Sequence, residues 1–261
     1  MVTMKNLKIG IIGCGWLGRK MADQWKAEHQ IYTTTTTEDK FERLKSDGLN
    51  PTLADFGADF QSAPWAASLD VVIITVPLST RRDKDPDLLR KKVENLSKFM
   101  GPFKNQLFFT STTSVYPNEE KKFDEEAVGI DQNLPECLLN NHFPQINILR
   151  LGGLMSDDRQ LSKYKVSNLD DPVNHVHAED IVSVVEKMIK NRSTGKLYNL
   201  VAPKHPTKRQ VIAMQTNPEL ILPERPDHQK EGGGRLISSE KLIRELDYEF
   251  VHPDPMYFHL H

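Results

Sequence analysis

Cysteine is scarce in this chain of 261 residues: there are two, Cys14 and Cys137, in no spacing suited to a metal. A disulfide scaffold and a zinc site are therefore not expected, and no metal ligands are assigned. Excess charge is also missing. Thirty-four basic residues oppose 36 acidic ones, a formal net charge of -2, with both signs mixed along the chain. No basic run offers a footing for nucleic acid or an anionic membrane, and neither is expected as a partner. Long hydrophobic runs are absent too. Residues 1–8 have no apolar core, and the longest aliphatic stretch, near Val71 to Val76, is far too short to span a bilayer, so a cytoplasmic location is expected. Apart from a threonine run there is no low-complexity segment and no internal repeat.

What is present is alternation. Apolar, β-rich runs at Lys8 to Ile12, Gln30 to Thr35, Pro51 to Ala54, Val71 to Val76, Gln106 to Thr110 and Ile146 to Leu151 alternate with helical patterns. That is the sequence form of a parallel sheet covered on both faces, and the fold class expected is α/β, doubly wound. The first run is followed directly by Gly13-Cys14-Gly15-Trp16-Leu17-Gly18, which opens a helix carrying Leu17, Met21 and Trp25 four residues apart. In a strand–turn–helix the first glycine permits the sharp turn, the second lets a pyrophosphate approach the backbone, and the third lets helix and strand pack closely. Gly13, Gly15, Trp16, Leu17 and Gly18 are the expected cradle of a dinucleotide. Cys14 fits there as a small turn residue rather than a reactive thiol.

Further helices are marked by their ends. Glu38 to Ser46 stops at Asp47-Gly48; Asp85-Pro86 is an N-cap with proline at the first helical position, and Gly101-Pro102 ends its apolar stripe. The second half is less regular. Leu134 to Asn141 allows only a short helix, and Met155 to Pro172 reads as a polar excursion. Ala178 to Ile189 is helical, Leu197 to Val201 is a strand, Thr207-x-x-Gln210 is a capping box, and Ser238 or Ser239 caps a last helix. Asn217 to Gly234, rich in Pro, Gly and charge, reads as a mobile loop. The expected division is residues 1–154, a nucleotide-binding domain, and residues 155–261, the remaining Rossmann elements with a small substrate-binding subdomain, discontinuous and part of a single globular unit.

The second strand ends in Thr33 to Thr37, where the adenosine ribose of a nicotinamide dinucleotide would lie. An acidic residue there would bind the 2′-hydroxyl and repel a 2′-phosphate. None stands at the strand tip. Thr34, Thr35 and Thr36 offer hydroxyls, with Lys40 and Arg43 close in sequence, so NADP is favoured over NAD; β-propensity alone accounts for part of the run. Asp55 is placed either to receive an adenine amino group or to cap its own loop. Val76 and Pro77 close the fourth strand and would face the cofactor.

The segment Phe108-Phe109-Thr110-Ser111-Thr112-Thr113-Ser114-Val115-Tyr116-Pro117 ends the fifth strand. Together with the glycine fingerprint it resembles the extended short-chain dehydrogenase/reductases, the NAD(P)-dependent epimerase/dehydratase group, which carry a serine-rich strand end before Val-Tyr-Gly. Ile148 to Leu154, Asn174 to Val182 and Tyr198-Asn199-Leu200 match later family segments in order. The resemblance implies a Rossmann fold, with Thr110 and Ser111 against the cofactor and Thr112 at the position of the substrate-orienting hydroxyl. It also implies a tyrosine with lysine four residues on, whose positive charge lowers the phenol pKa for proton transfer. None of the six tyrosines here has that partner. Tyr116 is the substitute acid, or else a packed turn residue; Thr112 is catalytic, a strand-end cap or a cofactor contact.

Two functions follow. One is an NAD(P)-dependent oxidoreductase or epimerase acting on a small polar or sugar-like substrate, with a homodimer possible through sheet-flanking helices. The other is a dinucleotide-binding sensor or scaffold with little turnover. A ketoacid- or imine-type reductase is disfavoured, because strand signals continue to Val201 where such chains become mainly helical. His175 and His177 alternate on an extended segment and so are not expected to form a metal pair, and His252, His259 and His261 are expected at the surface.

Overall fold

A computed structural model describes residues 6–58, 65–80, 85–217 and 234–260. Eleven strands and seven α-helices are assigned among them. The strands are β1 (Lys8–Ile12), β2 (Gln30–Thr35), β3 (Asn50–Leu53), β4 (Val71–Ile74), β5 (Gln106–Thr112), β6 (Lys122–Phe123), β7 (Asn147–Leu151), β8 (Gly153–Met155), β9 (His175–His177), β10 (Leu197–Leu200) and β11 (Leu236–Ile237). The helices are α1 (Trp16–Trp25), α2 (Glu38–Ser46), α3 (Pro86–Met100), α4 (Leu134–His142), α5 (Ala178–Lys190), α6 (Lys208–Thr216) and α7 (Glu240–Leu246). A seven-stranded sheet runs β10-β7-β5-β4-β1-β2-β3, and the pairs β1/β2, β1/β4, β2/β3 and β4/β5 are parallel. This is the doubly wound α/β fold expected.

The central strands show why they are central. All four residues of β4 are apolar and buried, as expected for a strand covered on both faces, and all five of β7 are buried as well, Asn147 and Arg150 included. β4 ends two residues earlier than its apolar run, and just past its end Thr75 donates its hydroxyl to the carbonyls of Ile12 at 3.1 Å and Gly13 at 2.5 Å. Helix α1 buries Leu17, Gly18, Met21, Ala22 and Trp25 on one face. Helix α3 begins as its sequence indicates: Asp85 accepts the Asp87 N–H at 2.9 Å, Pro86 opens the first turn, and Gly101 ends it at φ +65°.

The chain divides into two compact units, interleaved in sequence. The first comprises residues 1–111, 129–149 and 188–197; the second comprises 112–128, 150–187 and 198–261. In the first, Ile12, Val72, Ile74, Leu96, Phe99, Leu107, Phe109 and Ile148 belong to one core. In the second, Tyr116, Phe123, Val201 and Ile237 form one cluster, and Leu161, Val173 and Val211 another. The polar stretch Met155 to Pro172 is thus anchored by a short 3-10 turn at Leu161–Lys163.

Local expectations at two helix starts are refined. Thr207 and Gln210 make both bonds of the capping box, and of the two serines before α7 it is not Ser239 that caps with its side chain. Its hydroxyl instead receives the Val201 N–H and donates to the Val201 carbonyl, both at 2.9 Å, while Ser238 Oγ takes the Glu240 N–H at 3.4 Å. The loop read at Asn217 to Gly234 lies outside the described residues except at its two ends. No helix among the described residues is long and apolar enough to cross a membrane.

Candidate functional site

The turn after β1 leads into an open helix N-terminus. Gly13 adopts φ +91°, and a Cβ placed on it would meet Val76 Cγ2 at 2.9 Å and the Val76 backbone nitrogen at 3.0 Å, so both the dihedral and the space require glycine. Gly18 is closed in as well: a Cβ there would stand 3.0 Å from both Ile11 Cγ2 and the Gly13 carbonyl oxygen. Gly15 differs: apart from the Gly13 carbonyl oxygen at 3.8 Å nothing lies within 4 Å. That glycine is not needed for packing, and its bare backbone faces open space. It is also the N-cap of α1, with no side-chain cap bond and no acidic residue in the first turn, which leaves the positive end of the helix dipole for an anion.

The tip of β2 supports this turn. Gly13 N–H donates to Thr34 Oγ1 at 2.8 Å, and Cys14 N–H to the Thr34 carbonyl at 2.9 Å. Thr34 is buried, so its role is to hold the turn, and its hydroxyl is not directed at a ribose. Thr35 is also buried, whereas Thr36 and Thr37 are exposed. Beyond them opens a cleft of about 550 Å³ lined by Cys14, Gly15, Trp16, Arg19, Thr37, Asp39, Lys40, Arg43 and Leu44. Three cations and one carboxylate line it; since Arg19 is already paired with carboxylates outside the lining, Lys40 and Arg43 carry whatever field it offers an anion. Arg19 is oriented by Asp23 at 2.6 Å and Asp47 at 2.5 Å. Burial pushes the Cys14 thiol above its usual pKa, with Lys40 and Arg19 pulling the other way, as befits a packed rather than a reactive thiol.

The remaining expected contacts are distributed as follows. Asp55 is exposed and accepts the Gly57 N–H at 2.8 Å, capping its own loop. Val76 packs against Gly13, and Pro77 is exposed. Thr110 donates to the Ile74 carbonyl at 3.2 Å. Ser111 donates to Glu136 at 2.5 Å, and Glu136, in the first turn of α4, is fully buried. Thr112 accepts the Ser114 N–H at 3.1 Å and lies 3.2 Å from Ser114 Oγ, so part of its capacity caps the strand end.

Tyr116 is buried at 2% exposure, and both valences of its hydroxyl are used: it donates to Asn199 Oδ1 at 2.8 Å and accepts from Arg150 Nη1 at 2.9 Å. Asn199 N–H in turn donates to the buried Glu125 at 2.6 Å. Burial, the larger influence, pushes the Tyr116 phenol up although Arg150 pulls it down. The geometry fits the packed turn residue, tied into a buried polar network. Arg19, Glu136, Arg150 and Glu125 were not expected in these positions, whereas Thr37 lies in the threonine run expected at the ribose. Arg19 was legible, since it sits one turn after Gly15; a buried acid in a short helix leaves no pattern.

The histidines also depart from expectation. His252 is buried at 5% rather than exposed. Its ring lies 3.8 Å from that of His177, centroid to centroid, and its Nε2 is 2.7 Å from Glu179 Oε2. His259 is half-buried, and His261 lies outside the described residues.

Against this geometry, residues 8–127 match the NAD binding domain of 6-phosphogluconate dehydrogenase. Over the whole length, the fold matches vestitone reductase from alfalfa with a TM-score of 0.70 at 15% identity, covering 98% of this chain and 97% of that one. It matches UDP-glucuronic acid 4-epimerase from Bacillus cereus, solved with NAD, with a TM-score of 0.68 at 12% identity, covering 97% and 95%. The chain shares its fold with these reductase and epimerase structures. In sequence it is similar to Protein YeeZ of Escherichia coli K12, 26% identical over 268 aligned positions that span 95% of this chain and 97% of YeeZ. Beyond the matched residues, β7 and β10 continue the same sheet.

Proposed function

We propose that this protein is an NADP(H)-dependent oxidoreductase or epimerase-like enzyme acting on a small polar, carbonyl-bearing substrate. The cleft at the tip of β2 carries the cofactor choice. Arg19, Lys40 and Arg43 surround it with Thr37, a set matched to the dianionic 2′-phosphate of NADP. The dinucleotide supplies hydride transfer when bound. The residues of this chain do the rest: the backbone around Gly15 holds the diphosphate, and Thr112 orients a substrate oxygen.

A second reading, binding with little turnover, is favoured by one observation: the Tyr116 hydroxyl is occupied by Arg150 and Asn199. A phenol so engaged is a poor proton shuttle. Titration of the full chain with NADPH and NADH, followed by an NADPH-oxidation assay over aldehydes, ketones and nucleotide sugars, separates the readings. NADPH binding with turnover supports the enzyme, and binding without turnover supports the second reading. Failure to bind either nucleotide overturns both.

A further inference from the structure

Outside the nucleotide cleft, the second unit brings three metal-ligating side chains together from distant parts of the sequence: His177 at the end of β9, Glu179 in the first turn of α5, and His252 beyond α7. One ligand atom of each lies within 4.8 Å of the other two. We propose that His177, Glu179 and His252 form a divalent transition-metal site, suited to Zn²⁺, that ties the chain beyond α7 to the start of α5.

The donor set is two imidazoles and one carboxylate, which suits Zn²⁺ and leaves room for water as a further ligand. Bonds of about 2.0–2.2 Å to nitrogen and oxygen place donors in a tetrahedral site roughly 3.4 Å apart. His252 Nε2 and Glu179 Oε2 are closer than that, at 2.7 Å, and share a proton where the ion would sit. The Glu179 side chain is 58% exposed, so it is free to rotate outward, and its exposed side is the ion's entry path. His177 and His252 are both buried. Their rings, now 3.8 Å apart and inclined at 51°, must open by roughly an ångström or more to present lone pairs to one ion with zinc-type bonds. The long contact from Glu179 N–H to His177 Nδ1, 3.4 Å, is a weak one to give up if that nitrogen's role changes.

The surroundings behave as support for ligands. Asp180, next to Glu179, accepts backbone N–H groups from Val251 at 2.8 Å and His252 at 3.0 Å, and the Tyr248 hydroxyl at 2.7 Å. That clamp fixes the backbone from which His252 projects, and such outer contacts orient first ligands. Phe258 packs edge-on to both rings, at 5.3 Å from His177 and 6.2 Å from His252, and walls the far side with apolar surface.

The test uses the full chain, stripped with a chelator and titrated with Zn²⁺ against a chromophoric competitor, then with Co²⁺ as a spectroscopic probe. One ion per chain at submicromolar apparent affinity, a rise in melting temperature, and a Co²⁺ spectrum of low coordination number are expected. Glu179→Gln should weaken Zn²⁺ at least tenfold while leaving the metal-free melting temperature and NADPH affinity unchanged; His252→Asn should abolish binding. The proposal is overturned if the chain takes up no tightly held ion, or if Glu179→Gln binds Zn²⁺ as well as the unaltered chain does. Because Glu179 is exposed, that variant keeps the test valid even if His252→Asn fails to fold.

Discussion

Thr34 Oγ1 accepts the Gly13 N–H at 2.8 Å, so the tip of the second strand holds the turn that follows the first. The threonine is buried, and removing its hydroxyl leaves a strained turn with one donor short. Thr34→Val should destabilise the fold by about 1–3 kcal/mol, the cost of an unsatisfied buried N–H, and should weaken NADPH binding several-fold. Urea denaturation and a nucleotide titration measure the two effects separately.

The fingerprint glycines should separate in their effects. A Cβ at residue 15 meets only one atom within 4 Å, so Gly15→Ala should change stability by no more than about 1 kcal/mol. It should nevertheless cut dinucleotide affinity at least tenfold, because the side chain fills the space before the helix N-terminus. Gly13→Ala should instead act first on stability, unfolding more easily because of its φ of +91° and the 2.9 Å approach to Val76. Equal loss of stability in both variants would contradict this division.

Cofactor choice should track the cations of the cleft. Lys40→Ala combined with Arg43→Ala is expected to weaken NADPH about tenfold, roughly 1.4 kcal/mol, and to leave NADH within a factor of two or three. The NADPH effect should shrink with added salt, as expected for partly exposed charges. Parallel loss of both nucleotides would instead mean that these residues support the fold.

Tyr116→Phe removes the group shared by Arg150 and Asn199 and should cost about 1–3 kcal/mol of stability. NADPH affinity should stay unchanged. If turnover is found and survives this substitution, the proton donor lies elsewhere, and Thr112→Val is the next variant to assay.

Stability should fall with acid in a window set by His175. Burial lowers its pKa from 6.5 to about 4, so the folded chain keeps the ring neutral while the unfolded chain protonates it. That contribution is fully present above pH 6.5 and is lost as pH falls toward about 4, at up to about 1.4 kcal/mol per pH unit. His175→Gln should flatten the difference between pH 7 and pH 4.5 relative to the unaltered chain, as measured by urea midpoints.

Much of the nucleotide half was legible because its signals are local. Strand, turn and helix around Gly13 to Gly18 depend on residues within one helical turn of one another, and the caps at Asp85-Pro86 and Thr207-x-x-Gln210 carry their own hydrogen bonds. The β2 threonines were read only in part. Which hydroxyl faces the cofactor and which props the turn depends on strand register, and adjacent residues of one strand point to opposite faces. Which of Ser238 and Ser239 caps α7 was open for the same kind of reason, since the partner that engages Ser239, Val201, is 38 residues away.

The sequence by itself determined the alternating α/β order, the dinucleotide turn and the lack of a tyrosine–lysine pair, because each rests on short-range periodicity, backbone sterics or residue identity. Only the tertiary structure decided that Tyr116 is locked by Arg150 and Asn199, that Ser111 meets a buried Glu136, and that His177, Glu179 and His252 converge. Those groups are remote in sequence, and burial forces each to find a polar partner wherever the packed chain supplies one.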